Sequence, residues 1–268
     1  MFGPSAWLTL PSLWMFKWPP DPLPFTLSSP SDAFTLKSPV NITQTLYDNL
    51  LAQNLPITFA ILYTIVVSIL NLLNARREYQ PWWISRTRLF KGFVTLHNVF
   101  LALFSGLTCV AMVRAVSVSW PGLFGEYGVA GAADAMCKIH GPRGFGDAVI
   151  YNSSTLDWES KNRLIHLGDD GFTPDHTDVG RIWNEGLAFW GWLFYLSKYY
   201  EVVNTAITLA KGKRCTTLQM YQHAGALICV WAGIRYMSPP IWMFVMLNSG
   251  VNTIMVSHLM NHGKPLLI

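Results

Sequence analysis

Three polar side chains recur at three-residue intervals within an apolar stretch in the second half of the chain. They are Lys198, Glu201 and Asn204, and this spacing places them near one face of a helix. An ionisable group inside an apolar helix costs several kcal/mol unless it is paired or hydrated, so each such group indicates a functional site. An ion pair near the end of the helix explains the same spacing, and the spacing alone leaves both interpretations open.

A second polar group begins the next apolar stretch and consists of Gln219, Gln222 and His223. Imidazole changes its charge near neutral pH, so His223 could serve as a base or a nucleophile. A hydrogen-bonded histidine at the start of a helix is the alternative interpretation. One imidazole without a second cluster offers too few ligands for a metal, so the sequence predicts neither a metal site nor a cofactor.

The composition indicates that these residues lie in a membrane protein. The chain has 268 residues, of which 51% are hydrophobic and only 13% are charged, about half the charged fraction of an average soluble domain. Its twelve tryptophans and ten tyrosines suit the interface between membrane and water. We expect membrane lipids as partners and no nucleic acid.

The order of apolar and basic segments predicts an all-α polytopic membrane protein. Five spans are predicted, near residues 57–73, 92–113, 186–205, 217–237 and 239–256. The short loops at 76–91 and 211–214 are rich in Arg and Lys and should therefore be cytosolic. Residues 1–56 are predicted to form an interfacial or lumenal segment, and residues 115–182 a lumenal loop. Each of these two lumenal segments contains an N-glycosylation sequon, at Asn41 and at Asn152.

Four ordered motifs resemble those of the fatty-acid elongase family. Residues 198–205, K-Y-Y-E-V-V-N-T, are similar to the motif K-x-x-E-x-x-D-T, and residues 219–223, Q-M-Y-Q-H, are similar to the histidine box H-x-x-H-H. Leu96, His97 and Asn98 resemble a second-span pattern, and residues 248–255 resemble the fifth-span pattern N-S-x-x-H-x-x-M. The resemblance covers residues 57–256.

The resemblance implies a ring of seven helices around an acyl tunnel in the endoplasmic reticulum membrane. It also implies condensation of acyl-CoA with malonyl-CoA to 3-oxoacyl-CoA, in the synthesis of very-long-chain fatty acids. Other enzymes of the elongation cycle, or further copies of an elongase, are the expected protein partners. By position in the motifs, the catalytic candidates are His223, Gln222, Asn252 and Asn204, and the substrate-binding candidates are Lys198, Glu201, Gln219, Asn248 and His97.

Four motif positions depart from the family pattern. The family aspartate is replaced by Asn204, and family histidines are replaced by Gln219, Gln222 and Asn252. Carboxamides keep the hydrogen bonding but accept no proton at neutral pH. The alternative interpretation is therefore a catalytically inactive relative that binds acyl-CoA or partners an active elongase. A transporter is a weaker alternative, because the sequence shows no repeat of its spans.

The end of the chain differs from the family pattern, in which two more spans follow the fifth. Residues 257–268 resemble nothing in the family, and we interpret residues 256–268 as translated intron sequence. A natural short form is the alternative.

Overall fold

The computed structural model describes residues 36–124, 128–141, 149–160, 166–168, 171 and 180–262, with side chains up to residue 254. Within these residues the chain is mostly helical, as predicted, and one short β-hairpin is the departure from an all-α chain. The helices are α1 (Gln44–Leu50), α2 (Asn54–Arg76), α3 (Arg88–Ser119), α4 (Gly128–Cys137), α5 (Ala188–Ala210), α6 (Thr217–Arg235) and α7 (Ile241–His262). A 3-10 turn (Trp83–Arg86) precedes α3 and a π-helical turn (Trp183–Leu187) precedes α5. The hairpin strands are β1 (Val149–Asn152) and β2 (Asp157–Ser160).

The outer face of α3 is apolar and its inner face carries the polar side chains. The exposed residues recur every three or four positions, which is the period of one helix face; they are Leu89, Phe93, Leu96, Phe100, Leu103, Leu107 and Val110. His97, Ser105 and Thr108 point inward and are buried. This arrangement is the reverse of a helix that faces water, and it suits a helix that faces lipid.

Two helical segments of the described chain are long and apolar enough to cross a membrane, Gln44–Arg76 and Arg88–Ser119. The segment Ile241–Ile254 of α7 is apolar but shorter. The aromatic and polar side chains of α5 and α6 lower the hydropathy of those two helices, so five spans stay a prediction.

Helix α5 is the central element of the bundle. It packs against α2, α3, α6 and α7, and Ala206 is its one exposed residue. Large side chains of α5 and of the turn before it are almost fully enclosed, among them Trp183, Phe194 and Tyr195. The polar residues on α5 are therefore buried or half-buried.

The two basic loops meet at one end of the bundle, which we call the basic end. The loop 77–87 joins α2 to α3, and the loop 211–216 joins α5 to α6. The side chain of Asn74 donates to Leu209 O at 2.9 Å, and Trp82 N donates to Ala210 O at 3.0 Å. Gly212 has a φ of +73°, and a side chain there would collide with the backbone of residues 79–81. The loops predicted to share the cytosolic side thus lie together.

The opposite end is closed by the short helix α1. Tyr195 donates its hydroxyl to Leu50 O at 3.0 Å, and Trp231 Nε1 donates to Leu51 O at 2.8 Å. The preceding segment is also held, because Trp190 Nε1 donates to Leu36 O at 2.7 Å. The first two bonds satisfy carbonyls at the end of α1 and connect α1 to α5 and α6.

The helix bounds differ from the predicted spans mainly at their ends. Helix α3 extends from residue 88 to 119, and α7 continues to His262, beyond the predicted end at residue 256. Within the predicted lumenal loop the structure places α4 and the hairpin. Residues 1–35 of the predicted interfacial segment and residues 263–268 of the predicted tail lie outside the described part of the chain.

Candidate active site

The centre of the site is an ion pair on the second half of α5. Lys198 Nζ lies 2.7 Å from Glu201 Oε1, three residues along the same helix. The two side chains are 4% and 15% exposed, so this pair is an internal one. Lys198 Nζ also lies 4.1 Å from the centre of the Phe194 ring, which adds a cation–π contact in a site with little solvent.

Helix α7 extends this pair into a hydrogen-bonded chain. Lys198 donates to Asn248 Oδ1 at 3.3 Å, and Asn252 Nδ2 donates to the same oxygen at 3.2 Å. The fifth-span motif therefore faces the motif on α5, as the resemblance implies. The resemblance places a family histidine at Asn252, and here the Asn252 amide donates to Asn248.

Helix α3 supplies a buried histidine on another side of α5. His97 is 1% exposed; its Nε2 lies 2.7 Å from Asn204 Oδ1 and its Nδ1 lies 2.8 Å from the Tyr200 hydroxyl. Both ring nitrogens are thus engaged. The spacing of the α5 motif could not show Tyr200 as a partner, because its contact with His97 spans 103 residues.

His223 on α6 is the other imidazole near the ion pair. It is half-buried, Glu201 and Lys198 are close enough to act on it electrostatically, and its ring lies edge-on to Tyr63 of α2 with 6.2 Å between centroids. The hydroxyls of Tyr63 and Thr205 share a hydrogen bond of 3.0 Å, which holds the Tyr63 ring in place beside His223. Within the described residues the ring nitrogens of His223 have no hydrogen-bond partner, so they can face a substrate.

The two glutamines of the box lie in different environments. Gln219 is buried at the start of α6, where its backbone N donates to Thr216 Oγ1 at 3.1 Å and caps the helix. Gln222 is exposed and does not join the ion pair. Of the nine predicted residues, eight are therefore buried or half-buried and Gln222 is exposed.

The chemistry available at this site is acid–base and electrostatic. No group of three or more His, Cys, Asp or Glu side chains in the described residues could hold a metal ion. A buried ammonium can attract an anionic group, a carboxylate can hold that ammonium in place, and a nearby imidazole with open nitrogens can move a proton.

A second charged cluster lies at the end opposite to the basic end, and the sequence motifs gave no sign of it. Glu185 is 5% exposed, and its Oε1 accepts the backbone N–H of Gly180 at 2.9 Å. Arg114 Nη1 lies 3.7 Å from Glu185 Oε2 and Lys37 Nζ lies 4.0 Å from Oε1. The carboxylate thus joins α3, the π-helical turn and the segment before α1.

Comparison with known proteins identifies the family. The model of the ELO family, described as the GNS1/SUR4 family, matches residues 50–260. The chain is 31% identical over 94 residues to fatty acid elongase 2 of Trypanosoma brucei brucei (strain 927/4 GUTat10.1), which is 34% of this chain and 35% of that protein. It is 31% identical over 75 residues to human very long chain fatty acid elongase 3, which is 28% of each protein. It is also 31% identical over 70 residues to fatty acid elongase sre1 of Dictyostelium discoideum, 26% of each.

These matches span about a quarter to a third of the length of the curated relatives. No solved structure matches the chain. The family match covers most of the sequence and includes all four motifs, which confirms the resemblance. The chain belongs to the ELO family of membrane proteins.

Proposed function

We propose that this protein condenses an acyl-CoA with malonyl-CoA in fatty-acid elongation. In that reaction C2 of the malonyl group bonds to the thioester carbon of the acyl-CoA. The bond from C2 to the malonyl carboxylate breaks and releases CO2, and the thioester bond of the acyl-CoA breaks and releases the CoA thiolate. The observation that carries the proposal is the internal Lys198–Glu201 pair, bonded to Asn248 and close enough to His223 to act on it electrostatically. The matched relatives are named as fatty acid elongases.

The proposed role of each residue follows from its charge and its contacts. Lys198 and the cations of the basic end attract the phosphates of CoA, and Glu201 holds the ammonium in position. His223 takes or gives a proton at the reacting thioester. His97 and Asn204 hold α3 against α5, and this contact keeps the apolar interior in which the acyl chain lies.

The basic end also supports an orientation in the membrane. Both basic loops lie together, and short loops rich in Lys and Arg stay on the cytosolic side. We propose a multi-pass protein of the endoplasmic reticulum membrane, in which acyl-CoA reaches the site from the basic end. Helix α5 corresponds to the third of the five predicted spans.

A second candidate is a relative that binds acyl-CoA without condensing it. The replaced motif residues favour it, because Asn252 and Asn204 are engaged with Asn248 and His97 and accept no proton at neutral pH. Gln222, at another family histidine position, is exposed. Loss of a positioned base typically costs on the order of 10²–10⁴ in rate.

The test is an assay of the protein in nanodiscs with labelled malonyl-CoA and a panel of acyl-CoAs. We expect slow 3-oxoacyl-CoA production by the wild type, and production about 10²–10⁴ faster in Asn252→His, whose position lies beside Asn248 and the ion pair. Gln222→His, at an exposed position, should change the rate little. Asn49→His on the exposed side of α1 is the control and should change nothing. Acyl-CoA binding that persists without product in every variant would support the second candidate, and absence of both binding and product would refute both.

A further inference from the structure

The hairpin in the loop between α4 and α5 presents an asparagine at its turn. Asn152 is the last residue of β1, and the exposed residues 153–156 follow it before β2 begins. The backbone N of Ser154 donates to Asn152 Oδ1 at 2.9 Å, an Asx turn that uses the carbonyl oxygen of the side chain. The Nδ2 of Asn152 donates one hydrogen across the hairpin to Glu159 Oε1 at 2.9 Å, and its second hydrogen is not used by that bond.

The two faces of the hairpin differ in chemistry. In the antiparallel register Asn152 pairs with Asp157 and Ile150 pairs with Glu159, so the asparagine shares its face with two carboxylates. Tyr151 pairs with Trp158 on the other face, with 5.4 Å between ring centroids. An exposed aromatic pair suits the interface between membrane and water.

The chain leaves and re-enters the bundle at the end opposite to the basic loops. Ile139 O accepts from Trp183 N at 2.9 Å, and Arg181 Nη1 lies 2.7 Å from Asp134 Oδ2. These contacts hold both ends of the segment 140–180 at one place. With the basic end in the cytosol, this segment is in the lumen, where glycosyl transfer to asparagine occurs.

We propose that Asn152 is an acceptor of an N-linked oligosaccharide. Residues 152–154 read Asn-Ser-Ser, a sequon with serine at its third position. The donor is an oligosaccharide on a lipid pyrophosphate. The Nδ2 atom bonds to C1 of the first sugar, the bond from C1 to the pyrophosphate oxygen breaks, and the amide loses one proton. The hydrogen that remains on Nδ2 can keep the bond to Glu159 Oε1, which is 2.9 Å long in the unmodified chain.

The second sequon of the chain lies in a different setting. Asn41 is exposed, but Ile42 packs against the hydrophobic core and Thr43 O accepts the backbone N of Tyr47 at 3.1 Å. The segment is thus held on the bundle at the first turn of α1. In the described part of the chain no helix packs extensively on the hairpin. Asn152 is therefore the more accessible of the two asparagines and the better acceptor.

The test is the mobility of the full chain after expression with microsomes, with and without peptide-N-glycosidase. We expect the wild type to migrate more slowly by the mass of one oligosaccharide, and we expect the glycosidase to abolish this difference in mobility. Asn152→Gln and Ser154→Ala should each remove it, whereas Ser153→Ala, which keeps the sequon, and Asn41→Gln should retain it. Wild-type mobility in Asn152→Gln, or a wild type that the enzyme does not change, overturns the proposal.

The proposal rests on the proposed orientation, so a second variant separates the two. Arg77→Asn with Tyr79→Thr introduces a sequon at the basic end, and it should stay unmodified. Modification there without modification at Asn152 overturns the orientation and the acceptor together. Modification at neither place in a membrane-embedded chain overturns the acceptor alone.

Discussion

Asn204 accepts a hydrogen bond from His97 inside the bundle, with 2.7 Å between Oδ1 and Nε2. An amide oxygen only accepts, so Nε2 carries a proton, while Nδ1 shares a hydrogen bond with the Tyr200 hydroxyl. Asn204, where the resemblance places the family aspartate, thus joins α3 to α5 in a contact that gives both ring nitrogens of His97 a partner.

The first prediction concerns this contact. In Asn204→Asp the carboxylate can pair with a protonated His97, so a small change in stability is expected. In the background His97→Leu the same substitution buries an unpaired charge and should cost about 3–5 kcal/mol more. The free energy of unfolding in detergent, measured as a double-mutant cycle, gives this coupling. Additive effects of the two substitutions would contradict the assigned contact.

The second prediction concerns the ion pair. Glu201→Gln leaves the Lys198 ammonium buried and unpaired, and it should destabilise the protein by about 3–5 kcal/mol. Adding Lys198→Met removes the charge and should recover most of that loss. Unfolding monitored by tryptophan fluorescence would measure both variants. A double variant no more stable than Glu201→Gln alone would argue against a buried pair.

The third prediction compares two helix glycines. A Cβ at Gly191 would lie 2.5 Å from Ile234 Cδ1 and 3.1 Å from Leu187 Cδ1, whereas a Cβ at Gly92 meets nothing within 4 Å. Gly191→Ala should therefore cost about 1–3 kcal/mol by overpacking, and Gly92→Ala should gain up to about 1 kcal/mol from helix propensity. Thermal unfolding of both variants checks the sign, and equal shifts would contradict the close packing of α5 on α6.

The fourth prediction concerns thiol reactivity. Burial raises the pKa of the Cys215 thiol, and its backbone N is held by Asn71 Oδ1 at 2.9 Å. Because the thiolate is the reactive form, Cys215 should react with maleimide far more slowly than the exposed Cys137. Asn71→Ala should speed the labelling of Cys215, and Ser68→Ala, at an exposed position of α2, should not. Mass spectrometry after timed labelling would show the order, and rapid labelling of wild-type Cys215 would contradict it.

The helices could be predicted from sequence because apolar runs and charge patterns are local. The first span was expected near residues 57–73, and α2 extends it by one turn or less at each end. The hairpin was missed, since strands of four residues give a weak alternation signal. The continuation of α7 to His262 was missed because the tail shows no helical period.

The site could be predicted only where a motif stood in the sequence. The i,i+3 spacing was enough to predict that Lys198 and Glu201 lie together. It could not separate Gln219 from Gln222, since only the packing of α2 and α5 on α6 determines which side of that helix is buried. Partners such as Tyr200, and the whole Glu185 cluster, depend on contacts between distant segments, which spacing does not contain.

The enclosure of α5 also determines how the protein opens. Most of its residues are buried or half-buried, so its amides should exchange with solvent mainly when the bundle separates. The outer side chains of α2 and α3 are exposed within the described residues, and the amides at the ends of these helices should open by local fraying. Proton exchange along α5 is therefore a direct measure of the free energy that holds the whole bundle together.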